Sequence, residues 1–304
     1  MLHTPHAHPD TCASASLGGH KGVLGYGRAV HGHMDLVFKS RSADKPDHAD
    51  VTYLADQTFS APIHLSKTHH DQDALVVHLV NPTAGWFDGD TLKTRVRLEA
   101  GARVTLSTPS ASRVHRARNP EACAHLEQSF SVASGAMLEW IPDAFIPQAS
   151  ARYQQTTSIH LERDASLLFF DWITPGRVAR GEVFAYTNLA FSSDLWQENK
   201  LIARERFALN PNTQSLEALK QLYPAAHIIS LFAVGIPQEN WPTIGFEALA
   251  APHTYLGHGP LCGENAFVVR VLCADSLAAR STLNQLRNLM YSALARHAPS
   301  LGKW

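Results

Sequence analysis

The sequence predicts a mainly-β protein: stacked β-hairpin repeats forming layered sheets, β-helix-like or sandwich in form, with about two helices in the C-terminal third. Three observations predict it. There is an internal repeat with a period of roughly 30 residues, a period-two alternation inside the copies, and a helical pattern confined to the C-terminal third.

The repeat shows in four segments. "QDALVVHLV" begins at Gln72, "AGARVTLST" at Ala100, "SGAMLEWIP" at Ser134 and "RDASLLFFD" at Arg163. The shared alanine falls at Ala74, Ala102, Ala136 and Ala165, so the copies recur at nearly even intervals. "TRVRLE", "SFSV" and "SIHLE" precede the last three copies, and each of those reads as strand, tight turn, strand. The turn position is Gly101, Gly135 or Asp164, residue types that accept positive φ. Val96 and Leu98 share one face of their strand, and Arg95, Arg97 and Glu99 share the other. Units of this size stack on their neighbours to bury a continuous core. The first copy is the weakest, because no clean strand precedes it at the same distance.

Helical signals come late. "TQSLEALKQLY" (213–223) reads as a short helix and "AHIISLFAVG" (226–235) as a buried strand. Residues 275–298 read as an amphipathic helix that ends the domain, with Asp275 or Ser276 as N-cap. Leu283, Leu286, Met290 and Leu294 form its apolar stripe; Arg280, Asn284, Arg287 and Asn288 are placed on the other side. Such a stripe fits packing on the protein's own sheet better than a face kept for a partner.

Residues 1–22 are polar, Pro-containing and aperiodic, and read as a His-rich disordered tail; residues 23–304 read as a single domain. "KSRSADKPDHAD" (39–50) reads as an exposed loop between strands. The formal net charge is -1 and there is no Lys/Arg run, so no partnership with nucleic acid or anionic lipid is expected. No apolar run approaches the roughly 18 residues that span a bilayer, and no secretory h-region opens the chain. Cys12, Cys123, Cys262 and Cys273 are scattered without a C-x-x-C pair. That pattern fits free thiols in a reducing compartment, and the cytoplasm is the expected location.

Histidine is over-used: the chain has 18, and most of them precede Asn81. His3, His6 and His8, near Cys12, are candidate loose ligands for nickel, copper or zinc. His31 with His33, and His69 with His70, form further pairs.

"LVNPTAGWFDGDTL" (79–92) looks at first like a ligand loop. A calcium loop starting at Asp88 would put Leu92 and Lys93 where an oxygen ligand and a glycine are required. No Gly-Lys-Ser/Thr follows for a phosphate. The stretch therefore reads as a turn shaped by Gly85 and Gly89. There is also no G-x-S-x-G elbow, no H-E-x-x-H and no paired-cysteine motif; His258 and Cys262 sit four apart in a glycine-rich loop. Two carboxylates stand out: Glu139 inside the apolar "MLEWIP", and Glu182 in "PGRVARGEVF" near Arg177 and Arg180. A carboxylate in an apolar strand needs a partner or water. The choice lies between an ion pair with arginine and the polar lining of an internal passage for a divalent ion.

Five motifs occur together and in order: "AGWFDGD", "TPSASRVHRA", "GAMLEWIPDAFI", "PGRVARGEVF" and "LGKW". Over roughly residues 50–304 the chain resembles the UreD (UreH) family of urease accessory proteins. Gly89 and Asp90 match its Gly-Asp turn; Ser112, Arg113, Val114, His115 and Arg116 match a Thr-Lys-Val-Tyr-Arg-like segment. Glu139 and Trp140 match its Glu-Trp, and Gly176, Arg177, Gly181 and Glu182 match the fourth motif. Ala84 departs from the usual glycine and His115 from the usual tyrosine. The resemblance implies a non-catalytic chaperone for nickel insertion. Such a protein would bind apo-urease and a UreF-like protein, and through the latter a UreG-like GTPase. It would hold no tight cofactor, only transient nickel, with Asp90, His115, Glu139 and Glu182 as candidate passage lining. The alternatives are a carbohydrate-active enzyme on a stacked-β scaffold, or a protein-binding module with no metal role.

Overall fold

The computed structural model describes residues 29–41, 50–213, 216–241, 243–249 and 254–302. The candidate ligands His3, His6 and His8, and Cys12 with them, lie outside the described residues. So do residues 42–49, most of the expected loop, and Lys303 and Trp304 of the last motif.

Two layered sheets make the body. Numbering strands along the chain, the first sheet contains β1 (His31–Arg41), β2 (Val51–Phe59), β6 (Thr91–Leu98), β9 (Ala124–Val132), β12 (Arg152–Leu161), β14 (Asn188–Gln197) and β15 (Lys200–Leu209). Its spatial order is β15-β14-β12-β9-β6-β1-β2. The second sheet contains β3 (His64–Leu65), β5 (Ala74–Val80), β7 (Arg103–Ser107), β10 (Met137–Ile141), β13 (Ser166–Ile173), β16 (His227–Val234), β17 (Thr254–Pro260) and β18 (Ala266–Cys273). Its order is β17-β18-β16-β13-β10-β7-β5-β3. Short strands β4 (His69–Asp71), β8 (Ser112–Val114) and β11 (Phe145–Pro147) join its margins.

The expected hairpins are corrected to arches. In each copy the two strands belong to different sheets: β6 to the first and β7 to the second, then β9 and β10, then β12 and β13. Their hydrogen bonds go instead to the next copy, in parallel. The turns explain this. Ala102, Ala136 and Ala165 each donate N–H to the carbonyl three residues back, and the third turn residue has φ of 71° (Gly101), 68° (Gly135) or 60° (Asp164). Turns with positive φ only at that position splay the flanking strands, whereas primed turns keep them side by side. The splayed strand crosses to the facing sheet. Ala102, Ala136 and Ala165 then stand in line, all buried. The first copy, β5, follows the antiparallel β4 instead of an arch, which accounts for its weaker signature.

The two sheets enclose the larger core, including Val96, Leu98, Phe130, Val132, Ile159, Leu138 and Phe169. A second core forms on the outer face of the second sheet, under the C-terminal helix. The described helices are α1 (Glu217–Leu222), α2 (Thr243–Ala248) and α3 (Ser276–Ala293). α1 and α3 match the expected segments, and α2 was not anticipated. Asp275 caps α3, its side chain accepting from the N–H groups of Leu277 and Ala278. Leu283, Leu286 and Met290 are buried against the sheet.

Arg287 is not on the outer side of α3 as expected; it is 8% exposed and faces the sheet. It lies four residues after Leu283 and three before Met290, which is the stripe itself. Its partner is Glu139 of β10. Arg287 Nε donates to Glu139 Oε1 at 2.6 Å and Nη2 to Oε2 at 2.8 Å. Tyr291 and Thr105 hydroxyls add bonds to Oε2, each at 2.9 Å, and Arg287 Nη2 also reaches the Pro299 carbonyl at 2.8 Å. Burial works against the Arg287 charge, but the bonds and charge of Glu139 outweigh it and hold the guanidinium above its ordinary value. Burial pushes the Tyr291 hydroxyl up as well. This cluster fastens α3 and the segment after it to the middle of the second sheet.

Breaking such a pair from one side strands a buried charge, at about 3–5 kcal/mol. Arg287→Met therefore lowers the unfolding free energy by an amount of that order, read as a fall in the urea midpoint at unchanged slope. Adding Glu139→Gln recovers more than half, since no charge is then left alone. Equal losses in single and double variants would contradict the pairing.

Candidate functional site

Inner faces of stacked arches are normally apolar, yet one level here is polar in both sheets. In the first sheet Thr94, Gln128, Thr157, Ser193 and Glu205 are neighbours in register across β6, β9, β12, β14 and β15. In the second, Asp171, Ser230 and Arg270 are neighbours across β13, β16 and β18. Thr94, Gln128, Thr157 and Ser193 are all buried. Their parity is that of Val96, Phe130, Ile159 and Leu195, so the strands point them inward.

The sheets do not close over this level. A cavity of about 210 Å³ lies between them, lined by Gln128, Gln155, Tyr153, Thr94, Trp140 and Asp171 among others. The exposed residues Thr83, Ser110 and Arg113 mark where it opens. Its polar wall is organised. The Tyr153 hydroxyl donates to Gln155 Oε1 at 2.8 Å, Gln155 Nε2 to Gln128 Oε1 at 3.1 Å, and the Thr157 hydroxyl to the same Gln128 oxygen at 3.2 Å. At the far end of the two rows, Arg270 donates to Glu205 Oε1 from Nη2 at 2.7 Å and from Nε at 3.1 Å. The Arg270 guanidinium also stands over the Phe232 ring, 4.9 Å from its centre.

Two acids line this cavity: Asp143, whose Oδ1 is paired with Arg280, and Asp171. Burial, reinforced by the Glu205 charge, pushes the Asp171 carboxyl up to about 7, against the pull of Arg270 and the Trp140 indole. That indole lies against the carboxyl, but its Nε1 makes no well-formed hydrogen bond. Sequence reasoning passed over Asp171, although the signal it used for Glu139 was present. Asp171 ends the apolar run "SLLFFD", and parity puts it on the same face as Leu167 and Phe169.

The sequence-predicted residues are not gathered around one point. Asp90 is 3% exposed, and its two oxygens accept the N–H groups of Val30 and Phe87, each at 2.8 Å. It ties the chain ahead of β1 to the turn ahead of β6, with Gly89 at φ 87°. His115 Nε2 donates to the Ala84 carbonyl at 2.9 Å, its Nδ1 accepts from Gln148 Nε2 at 3.1 Å, and its ring stacks on Phe87 at 4.3 Å. The two departures from the family pattern, Ala84 and His115, thus touch through a backbone carbonyl. Glu139 sits on the outer face of its sheet, while Trp140, next in β10, faces the cavity.

Glu182 pairs with Arg177, and its Oε2 also accepts the Ala149 N–H at 2.9 Å. The Arg177 bonds come first in holding this carboxyl below its ordinary value. Gly176 has φ 135°, and a Cβ there would meet the Glu182 carbonyl at 2.2 Å, so only glycine permits that closure. Gly181 ends the intervening turn at φ 74°. Among the described residues, no group of three or more His, Cys, Asp or Glu side chains is arranged to hold a metal. None of the described helices is long and apolar enough to cross a membrane.

The family model described as "UreD urease accessory protein" matches residues 30–304. The chain belongs to the UreD urease accessory protein family. It is 34% identical to the urease accessory protein UreD of Opitutus terrae over 252 residues, which is 81% of this chain and 90% of the relative. It is 30% identical to the UreD of Herpetosiphon aurantiacus, over 87% of this chain and 89% of that one. The UreD of Lachnoclostridium phytofermentans is 26% identical, over 75% and 83%. This is an accessory family in urease maturation, not a catalytic one.

A raised carboxyl pKa predicts a signed pH effect. Between the ordinary Asp value and about 7 the folded state holds a proton on Asp171 that the unfolded state has lost, so this residue lowers stability as pH rises through that window. Asp171→Asn removes the effect. The variant should be more stable than the parent at pH 7.5 by chemical denaturation, with the gap closing toward pH 4. A gap that widens on acidification would contradict the assignment.

Proposed function

We propose that this UreD-family chain is a nickel-insertion chaperone. It docks on apo-urease, holds a UreF-like protein and through it a UreG-like GTPase, and passes nickel toward the urease active site. The setting is cytoplasmic, and nickel is a transient cargo. The observation that carries the reading is the pair of polar rows facing each other across the interior, opening as a cavity at one end and ending in Glu205–Arg270 at the other.

A cargo path needs contacts strong enough to admit an ion and weak enough to release it. Amide oxygens of Gln128 and Gln155, the Tyr153 hydroxyl and one carboxylate meet that need better than a closed four-ligand site. We assign the cargo contact to Asp171; both ring nitrogens of His115 are engaged, by the Ala84 carbonyl and the Gln148 amide. Asp90, Glu139 and Glu182 keep their oxygens on backbone N–H groups, hydroxyls or arginines, and we assign them to architecture. Nickel would displace the Asp171 proton, and the neutral amides around it would orient the ion without trapping it.

Co-expression with urease subunits and the other accessory proteins tests this. Asp171→Asn should leave recovery of the complex with apo-urease intact, while urease nickel content and activity fall several-fold. Unchanged nickel content would remove Asp171 from the path, and failure of the parent chain to recover apo-urease would overturn the whole reading.

A further inference from the structure

The cavity makes no use of the histidine surplus in the N-terminal part of the chain. One pair of these residues is brought together by strand register on the outer face of the second sheet. β4 and β5 run antiparallel with His69 opposite Val76, so His78 lies two residues further along β5, on the same face as Val76. Diagonal partners of this kind reach one another when their side chains are long or aromatic. The two imidazole rings are 6.3 Å apart between centroids and tilted by 32°.

That separation suits a shared ion. With a metal–nitrogen bond of about 2.0–2.1 Å, a ring centre lies roughly 3.2 Å from a metal bound at its nitrogen. Two such rings reach about 6.4 Å with the metal collinear between them, so the rings as placed suit a nearly linear pair, and a bent pair requires the exposed His69 ring to swing about 1 Å closer. His70, the neighbour of His69 on the strand, points to the other face and bonds the Thr52 carbonyl at 2.7 Å. It is therefore outside the pair.

The two ligands differ in rigidity. The His78 backbone is clamped by Ser66 in both directions: its N–H donates to the Ser66 hydroxyl oxygen at 3.3 Å, and its carbonyl accepts the Ser66 N–H at 3.0 Å. His69 is exposed and lies on a three-residue strand. One fixed imidazole and one adjustable imidazole form a capture site, with water completing the coordination. Imidazole pairs select borderline divalent ions such as nickel, copper and zinc over calcium and magnesium, which prefer oxygen.

We propose that His69 and His78 form a two-histidine site that binds one borderline divalent transition-metal ion reversibly on the outer face of the second sheet. The site is separate from the cavity between the sheets and stands without the cargo reading. Its ligand number makes it an exchangeable site, not a structural one.

The test uses the full chain, titrated with nickel chloride at pH 7.5 and followed by equilibrium dialysis with metal analysis. His69→Ala and His78→Ala should each lower the bound nickel by one ion per chain, and the double variant should lose no more than either single one. Two residues sharing one ion must behave so. His69→Gln, which keeps the size and polarity of the exposed side chain, should match His69→Ala. Circular dichroism and unfolding midpoint without metal should match the parent for the exposed-site variants. Unchanged stoichiometry, or losses that add in the double variant, would overturn the proposal. These results do not depend on urease activation, so they fail or stand apart from the chaperone reading.

Discussion

The structure depends on the register in which the arches stack. Gly101, Gly135 and Asp164 turn the chain at the same level in three successive copies, and Ala102, Ala136 and Ala165 line up immediately after them. Parallel pairing propagates that alignment along both sheets. Because side chains alternate with period two, a slip of one residue would exchange the inner and outer faces of every strand. Register therefore decides which residues meet in the interior. It stacks Leu98, Val132 and Leu161 as apolar core, and it equally forces Thr94, Gln128 and Thr157 to meet as a polar level four residues earlier along each strand.

A polar level inside a sandwich has to be satisfied from within. Gln128, Gln155, Tyr153 and Thr157 do this for one another, and Glu205 and Arg270 close the far end. Asp171 receives less. Its near neighbours are an indole, an acid and one arginine already engaged by that acid, and the carboxyl responds by holding its proton more tightly. The opposite treatment is given to Glu139, one strand away on the other face. Four donor bonds from Arg287, Tyr291 and Thr105 converge on it, and it anchors the C-terminal helix. Two carboxylates in apolar strands thus take different roles according to their partners.

Much of this was legible in the sequence, and the failures have physical causes. Copy spacing and alternation revealed the strands and turns, since both are local. Assignment of the two strands of a copy to different sheets was not local, because it depends on turn type, which Gly or Asp at one position does not distinguish. Polarity alone puts Arg287 on the outer side of its helix, whereas its spacing from Leu283 and Met290 puts it on the stripe. The polar rows were missed for a related reason. Thr94 has the parity of Val96 and Leu98, and Gln128 that of Phe130 and Val132, so polar residues at core positions were visible strand by strand. Their meaning emerged only when register set them side by side. Asp90 and Glu182 were recognised as motif members, but their partners, the Val30 and Ala149 N–H groups, are distant in sequence or carry no side-chain signal.

If the polar level serves transit and not stability, an apolar version of it should fold and dock yet fail to load urease. Replacing Gln128 and Gln155 by leucine, Thr157 by valine and Tyr153 by phenylalanine removes donor and acceptor of every hydrogen bond in this network at once, so no buried polar group is stranded and the fold should tolerate the change. The expected result is a protein at least nearly as stable as the parent that still recovers apo-urease, yet leaves urease deficient in nickel. Normal nickel loading of urease by this apolar-lined variant would contradict it.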